Sequence, residues 1–160
     1  MKKVPTDFRR VTMKVNQMDP AISIYRDILG MNVYYDEEIA VSGKTLPADE
    51  PGAKKRLVIL QCNDPYIGML GILQYIDPPL PEPDPRPLPR PVKAGDLVFV
   101  MHNENVELAY EKLKDIEGIE MVAEPHVSEY PKAEGGVLRV MGCTFFDPNG
   151  YFIELNQFVE

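Results

Sequence analysis

A chain of 160 residues, 44% of them hydrophobic, is long enough for one ordinary domain with a substantial core. A net charge of −8 argues against nucleic acid or an anionic membrane as partner, and no stretch approaches the roughly twenty consecutive apolar residues of a spanning helix. Cys62 and Cys143 fall in predicted strands and read as free core thiols; with no signal-like apolar core near the N-terminus, a cytoplasmic protein is expected.

In chain order, Val11, Met13 and Val15 alternate with Arg10, Thr12 and Lys14, the period of a strand with one buried face. A helix follows, with Asp19 as N-cap, Pro20 at the first helical position and Gly30 at the stop. Its buried stripe is Ala21, Ile22, Tyr25, Ile28 and Leu29. Strands are predicted over Asn32 to Ala40, Leu57 to Cys62 and Met69 to Ile76, with a polar excursion over Ser42 to Lys55. From Pro78 to Pro91 the chain is almost alternately proline, an extended connector between two modules.

The pattern then begins again. Leu97, Phe99 and Met101 alternate with Asp96, Val98 and Val100, and Ala109, Tyr110, Leu113 and Ile116 form a helical stripe closed by Gly118. Strands follow over Ile119 to Ala123, Val137 to Phe146 and Tyr151 to Val159, so both modules read β-α-β-β-β, over about 7–77 and 94–159. A shift of 88 carries Ala21 to Ala109, Asp27 to Asp115 and Gly30 to Gly118. A shift of 86 aligns the strand before the helix, as though two residues were inserted near Asn103. The last strands match at 83, Leu70 with Ile153 and Ile72 with Leu155. One such unit cannot bury both faces of its sheet, so the expected fold is α+β, a single domain of two paired βαβββ modules.

Two stretches, VNQMDPAISIYRDILGMNV and FFDPNGYFIELNQF, resemble the first strand-helix junction and the closing turn and strand of the vicinal oxygen chelate superfamily. That superfamily includes glyoxalase I, the bleomycin-resistance proteins and the extradiol dioxygenases. The resemblance implies a glyoxalase-like fold with the two modules paired around a cleft, a homodimer and a divalent ion held in that cleft by four positions, which here are Arg10, Gly71, Asp96 and Glu154.

Of these four, Glu154 is a usual ligand. Arginine is a permanent cation with no lone pair to give, and glycine offers no side chain. No metal is therefore expected, and any ion would rest on Glu154 and Asp96 alone, a poor set for zinc, nickel or iron but conceivable for magnesium or manganese. Arg10 is expected to stand in for the metal's charge, pairing with Asp96 or Glu154 or holding an anionic or carbonyl ligand. Alternation puts Thr12, Lys14, Met69, Leu73, Tyr75, Val98, Phe152 and Asn156 on the ligand-facing side, a mostly apolar wall for a small molecule. His102 is placed just past the fifth strand and His126 in a loop after Pro125, where it could act as an acid or base.

The first functional expectation is a metal-independent enzyme, lyase-like or isomerase-like, acting on a small carbonyl-bearing or aromatic metabolite. Arg10 would orient the substrate, and Glu154 or Asp96 would be the base. The alternatives are a non-catalytic sequestering protein like the bleomycin-resistance proteins and a metal-dependent lactoylglutathione lyase. An extradiol dioxygenase, which needs two histidines and a carboxylate, is not expected.

Overall fold

The computed structural model describes residues 6–40, 52–81 and 91–160. The chain divides into two compact units, Met1–Pro83 and Asp84–Glu160.

Unit one runs β1 (Arg10–Val15), a helical segment, β2 (Asn32–Ala40), β3 (Lys54–Gln61) and β4 (Met69–Asp77). Its four-stranded sheet has the order β1-β4-β3-β2, with β1 parallel to β4 and the remaining pairs antiparallel. The helical segment opens as α1 (Met18–Ile22) and widens into a π-helical turn, Ser23–Ile28. There the Leu29 N–H reaches back five residues to Ile24 O at 2.9 Å. The helix starts one residue before the expected cap. Gln17 occupies the N-cap without a side-chain bond, and Asp19 lies in the first turn, where its charge favours the helix dipole.

Met18, Ala21, Ile22, Ile24 and Tyr25 are buried against one face of the sheet, and Tyr25 Oη donates to Met13 Sδ at 3.8 Å. Met13 is in register with Ile72, and Ile72 with Val58, so this rung lies beneath the helix. Arg10, Thr12 and Lys14 alternate with it and belong to the opposite, helix-free face. The excursion expected over Ser42 to Lys55 falls largely on residues outside those described. Its end is corrected, since Lys54 and Lys55 already pair in β3. Most of the Pro78 to Pro91 connector also lies outside the described residues.

Unit two repeats the plan as β5 (Val98–His102), α2 (Val106–Leu113), β6 (Glu120–Pro131), β7 (Val137–Phe146) and β8 (Phe152–Val159), in the order β5-β8-β7-β6. Asn105 caps α2 through its side chain, accepting from Leu108 N at 2.9 Å. Val106, Ala109 and Leu113 are buried with Cys143, Phe145, Ile153 and Leu155, and Gln157 Oε1 accepts from Val106 N at 3.1 Å. Phe152, Glu154 and Asn156 alternate with those residues and take the helix-free face. Burial pushes the Cys143 thiol up to about 11, which leaves it protonated and unreactive at neutral pH. The core placement of Cys62 is corrected, since it is exposed just past the end of β3.

Strand β6 is much longer than the predicted Ile119 to Ala123, and it carries His126 as a paired strand residue opposite Gly142. The loop placement of His126 is thus corrected. Irregular pairing between Met121 and His126, around Pro125, breaks the alternation that would have marked the strand in the sequence.

Across the helix-side face of unit one, Arg56 grips Asp36 with two bonds of 2.8 Å. The guanidinium holds the Asp36 carboxyl below the usual carboxylate range. A depressed folded pKa contributes stability above the unfolded value, near 4, and that stability is lost as pH falls through the folded value. Both side chains remain about a third exposed, so the contribution is small, about 0.5–1 kcal/mol. Urea titration of Asp36→Asn should show this deficit unchanged between pH 7 and 5 and shrinking below pH 4; a deficit independent of pH would remove the ion pair as its cause.

Candidate functional site

On unit one, Arg10 is the first residue of edge strand β1, in register with Met69, and its side chain leans across to Gly71. A Cβ placed on Gly71 would meet Thr12 Oγ1 at 2.6 Å and Arg10 Cδ at 3.2 Å. The space a side chain at position 71 would need is therefore held by Thr12 and the arginine stem. Arg10, Thr12 and Lys14 are exposed, whereas Met69, Leu73 and Tyr75 on the same face are buried. Lys55, in register with Tyr75, is fully buried, with Nζ 3.9 Å from the Tyr75 ring centroid; Lys14 Nζ stands 5.9 Å from that ring. Lys55 was missed because the strand was started at Leu57, although Lys55 continues the alternation of Leu57 and Ile59.

On unit two, the helix-free face is a set of rungs. Val98, Phe152, Phe146 and Glu120 form the first, Val100, Glu154, Thr144 and Ala123 the second, and His102, Asn156, Gly142 and His126 the third. Phe146 and Phe152 pack at 5.1 Å between centroids. Glu154 is half-buried between the half-buried Thr144 and the exposed Val100, and its Oε1 accepts from Asn156 Nδ2 at a long 3.4 Å. His102 is the last residue of β5 and stacks on Phe158 at 5.6 Å, so it lies within the strand and not past it.

The strand that carries Glu154 is anchored by the turn before it. Asp147 is 2% exposed, and its Oδ1 accepts from Asn149 N at 3.0 Å and Tyr151 N at 2.8 Å. The Asp147 N–H donates to Tyr151 O at 2.9 Å, which starts the β7-β8 ladder three residues before Glu154.

Asp96 does not join this face. It lies in the turn before β5, where its Oδ2 accepts from Lys93 N at 2.9 Å and its own N–H donates to Lys93 O at 3.0 Å. Gly95 has φ of +98° in that turn, a conformation that ends any extended run, so β5 begins only at Val98. The register also replaces the expected shift of 86. Arg10 pairs with Met69 and Val98 with Phe152; 152 − 69 is 83, the shift of the last strands, so Arg10 corresponds to Val98 at 98 − 10, or 88. One shift of 88 carries strand and helix together without an insertion, and Asp96 is not the counterpart of Arg10.

The family model described as the glyoxalase/bleomycin resistance protein/dioxygenase superfamily matches residues 8–155. The chain belongs to this superfamily. No curated protein matches the sequence. Among solved structures, a glyoxalase family protein from Bacillus cereus is 16% identical, with a TM-score of 0.73 over 99% of this chain and 98% of that one. Glyoxalase I from Leishmania major is 16% identical, with a TM-score of 0.57 over 96% and 87% of the two chains. TnmS3, an antibiotic binding protein from Streptomyces, is 14% identical, with a TM-score of 0.57 over 99% and 100%. At these identities the likeness establishes the fold, the glyoxalase-like α+β plan of two similar modules.

The superfamily's divalent ion does not fit the donors present. Position 10 is a cation, position 71 is filled by its neighbours, and both Asp96 and Val98 fail as a fourth ligand, the first by its place in a turn and the second by its chemistry. Among the described residues no three His, Cys, Asp or Glu side chains are grouped to hold a metal. No helix among them is long and apolar enough to cross a membrane.

Proposed function

We propose that this superfamily member is a metal-independent, lyase-like or isomerase-like enzyme for a small carbonyl-bearing or aromatic metabolite. The observation that carries this reading is the exchange at position 71, where Thr12 and Arg10 take the room a ligating side chain would need. Arg10 would orient a carbonyl or carboxylate through its planar fork, and Glu154 would act as the base. Thr12, Lys14, Met69, Leu73 and Tyr75 would line the ligand surface of unit one, and Val98, Phe152 and Asn156 that of unit two. Asp96 drops out of the candidate bases because its carboxylate is committed to the Lys93 turn. The protein is further proposed to work as a single glyoxalase-like domain in a cytoplasmic homodimer.

Capture of a ligand without turnover is the second reading, favoured by the reduction of the candidate bases to one carboxylate. Metal content per chain of protein purified without chelator, followed by a thermal-shift screen of small carbonyl and aromatic compounds, tests both. Expected are a metal-free folded protein and a ligand that raises the melting temperature, by an amount set by its concentration over Kd. Turnover of that ligand identifies the enzyme, whereas stabilisation without turnover identifies capture. A stoichiometric transition metal removed by chelator with loss of activity would overturn both and restore the lactoylglutathione-lyase reading.

A further inference from the structure

The third rung of unit two holds two residues the proposed function does not use, His126 and Gly142. Gly142 stands between His126 on β6 and Asn156 on β8, with Thr144 and Val140 before and behind it on β7. Two strand spacings separate His126 from Asn156, about 9–10 Å between their backbones. Among the described residues, and apart from its chain neighbours, a Cβ on Gly142 would find one heavy atom within 4 Å, Leu155 O at an ordinary 3.6 Å. Gly71, one rung and one strand from the matching place in unit one, is instead crowded by Thr12 and Arg10. Glycine at 142 thus opens a recess on the same face as Glu154.

The two walls of the recess differ in hydrogen-bonding character. His126 Nδ1 lies 2.9 Å from Glu124 O. A carbonyl oxygen only accepts, so Nδ1 carries the hydrogen, and in the neutral form of the ring Nε2 is then an acceptor. Asn156 Nδ2 has two hydrogens, and its contact with Glu154 uses one of them at 3.4 Å. One wall therefore offers an acceptor at His126 Nε2 and the other an N–H donor at Asn156 Nδ2 beside its own Oδ1, across a floor without a side chain.

We propose that the recess over Gly142 is a subsite for a flat ring carrying a hydroxyl or N–H donor toward His126 and an acceptor, such as a carbonyl, toward Asn156. This rests on the reading that the helix-free face of unit two receives the ligand, and it narrows the ligand class to hydroxylated or enolic carbonyl compounds. His126 is a positioning and recognition group here, two strands and one rung from the candidate base Glu154.

The test titrates 4-hydroxyacetophenone into the full-length protein and follows backbone amides by NMR, with acetophenone as the partner lacking the donor. Saturable shifts should centre on His126, Gly142 and Asn156, and acetophenone should bind several-fold to about tenfold more weakly, the scale of one neutral hydrogen bond. Gly142→Val, which fills the floor with a residue suited to strands, should abolish the shifts while keeping the folded spectrum. The side-chain 15N spectrum of His126 in the free protein should show the Nδ1–H tautomer. Shifts centred elsewhere, or unchanged by Gly142→Val, would overturn the subsite while leaving small-molecule binding in place. An Nε2–H tautomer would overturn it without reference to any ligand. No saturable shift on this rung with either compound would also overturn it, and the thermal-shift screen then judges the broader reading separately.

Discussion

Glu154→Gln should lower turnover of the substrate found by the thermal-shift screen by about a hundredfold to ten-thousandfold, the range for losing a general base. Glutamine keeps the size of the side chain and an oxygen for the Asn156 amide, so ligand-induced stabilisation should change by no more than about twofold in Kd. The distinction matters because Glu154 has two roles open to it. A base acts only in the reaction, whereas a residue that merely lines the ligand surface would weaken binding and turnover together. Unaltered turnover in the glutamine variant would remove Glu154 from the chemistry.

Asp147→Ala should destabilise the protein by about 3 kcal/mol, measured by urea denaturation at pH 7. The carboxylate accepts the N–H groups of Asn149 and Tyr151 while 98% shielded from solvent, and hydrogen bonds to a charged group are each worth about 1.5–3 kcal/mol. Alanine would leave both N–H groups without their acceptor at the point where β8 begins. Asn, which retains one acceptor oxygen, should recover part of the loss. A deficit below 0.5 kcal/mol in the alanine variant would mean that the turn is held by its backbone geometry alone. The same substitution links stability to the site, since Glu154 stands three residues past Tyr151 on the strand that the turn anchors.

The sites of these two effects differ in how visible they were. FFDPNGYFIELNQF displays its turn and its alternation openly, so Glu154 could be placed on a strand and on a face from its neighbours alone. The same holds for Arg10, Thr12 and Lys14 beside Val11, Met13 and Val15, where each polar residue is followed by an apolar one. Asp96 was misplaced for a local reason. It precedes an alternating run and matches Arg10 in polarity, but Gly95 and the bond to Lys93 N turn the chain there, and the ladder starts two residues later. Lys55 and His126 were hidden differently, the first by its charge, which mimics a loop, and the second by Pro125 and an irregular register.

From sequence alone, this protein is a tandem β-α-β-β-β repeat of the glyoxalase superfamily in which two of the four ion-binding positions, Arg10 and Gly71, carry no donor. Periodicity, turn residues and the repeat are local properties, and each is legible within a few residues. Tertiary structure decided what occupies each site: that Arg10 and Thr12 fill the space at Gly71, that Asp96 belongs to a turn, and that His126, Gly142 and Asn156 share one rung. Except for the Asp96 turn, which Gly95 and the bond to Lys93 N set locally, those facts depend on strand register, which is fixed by pairing between segments many residues apart, and a slip of one residue would turn every side chain to the other face.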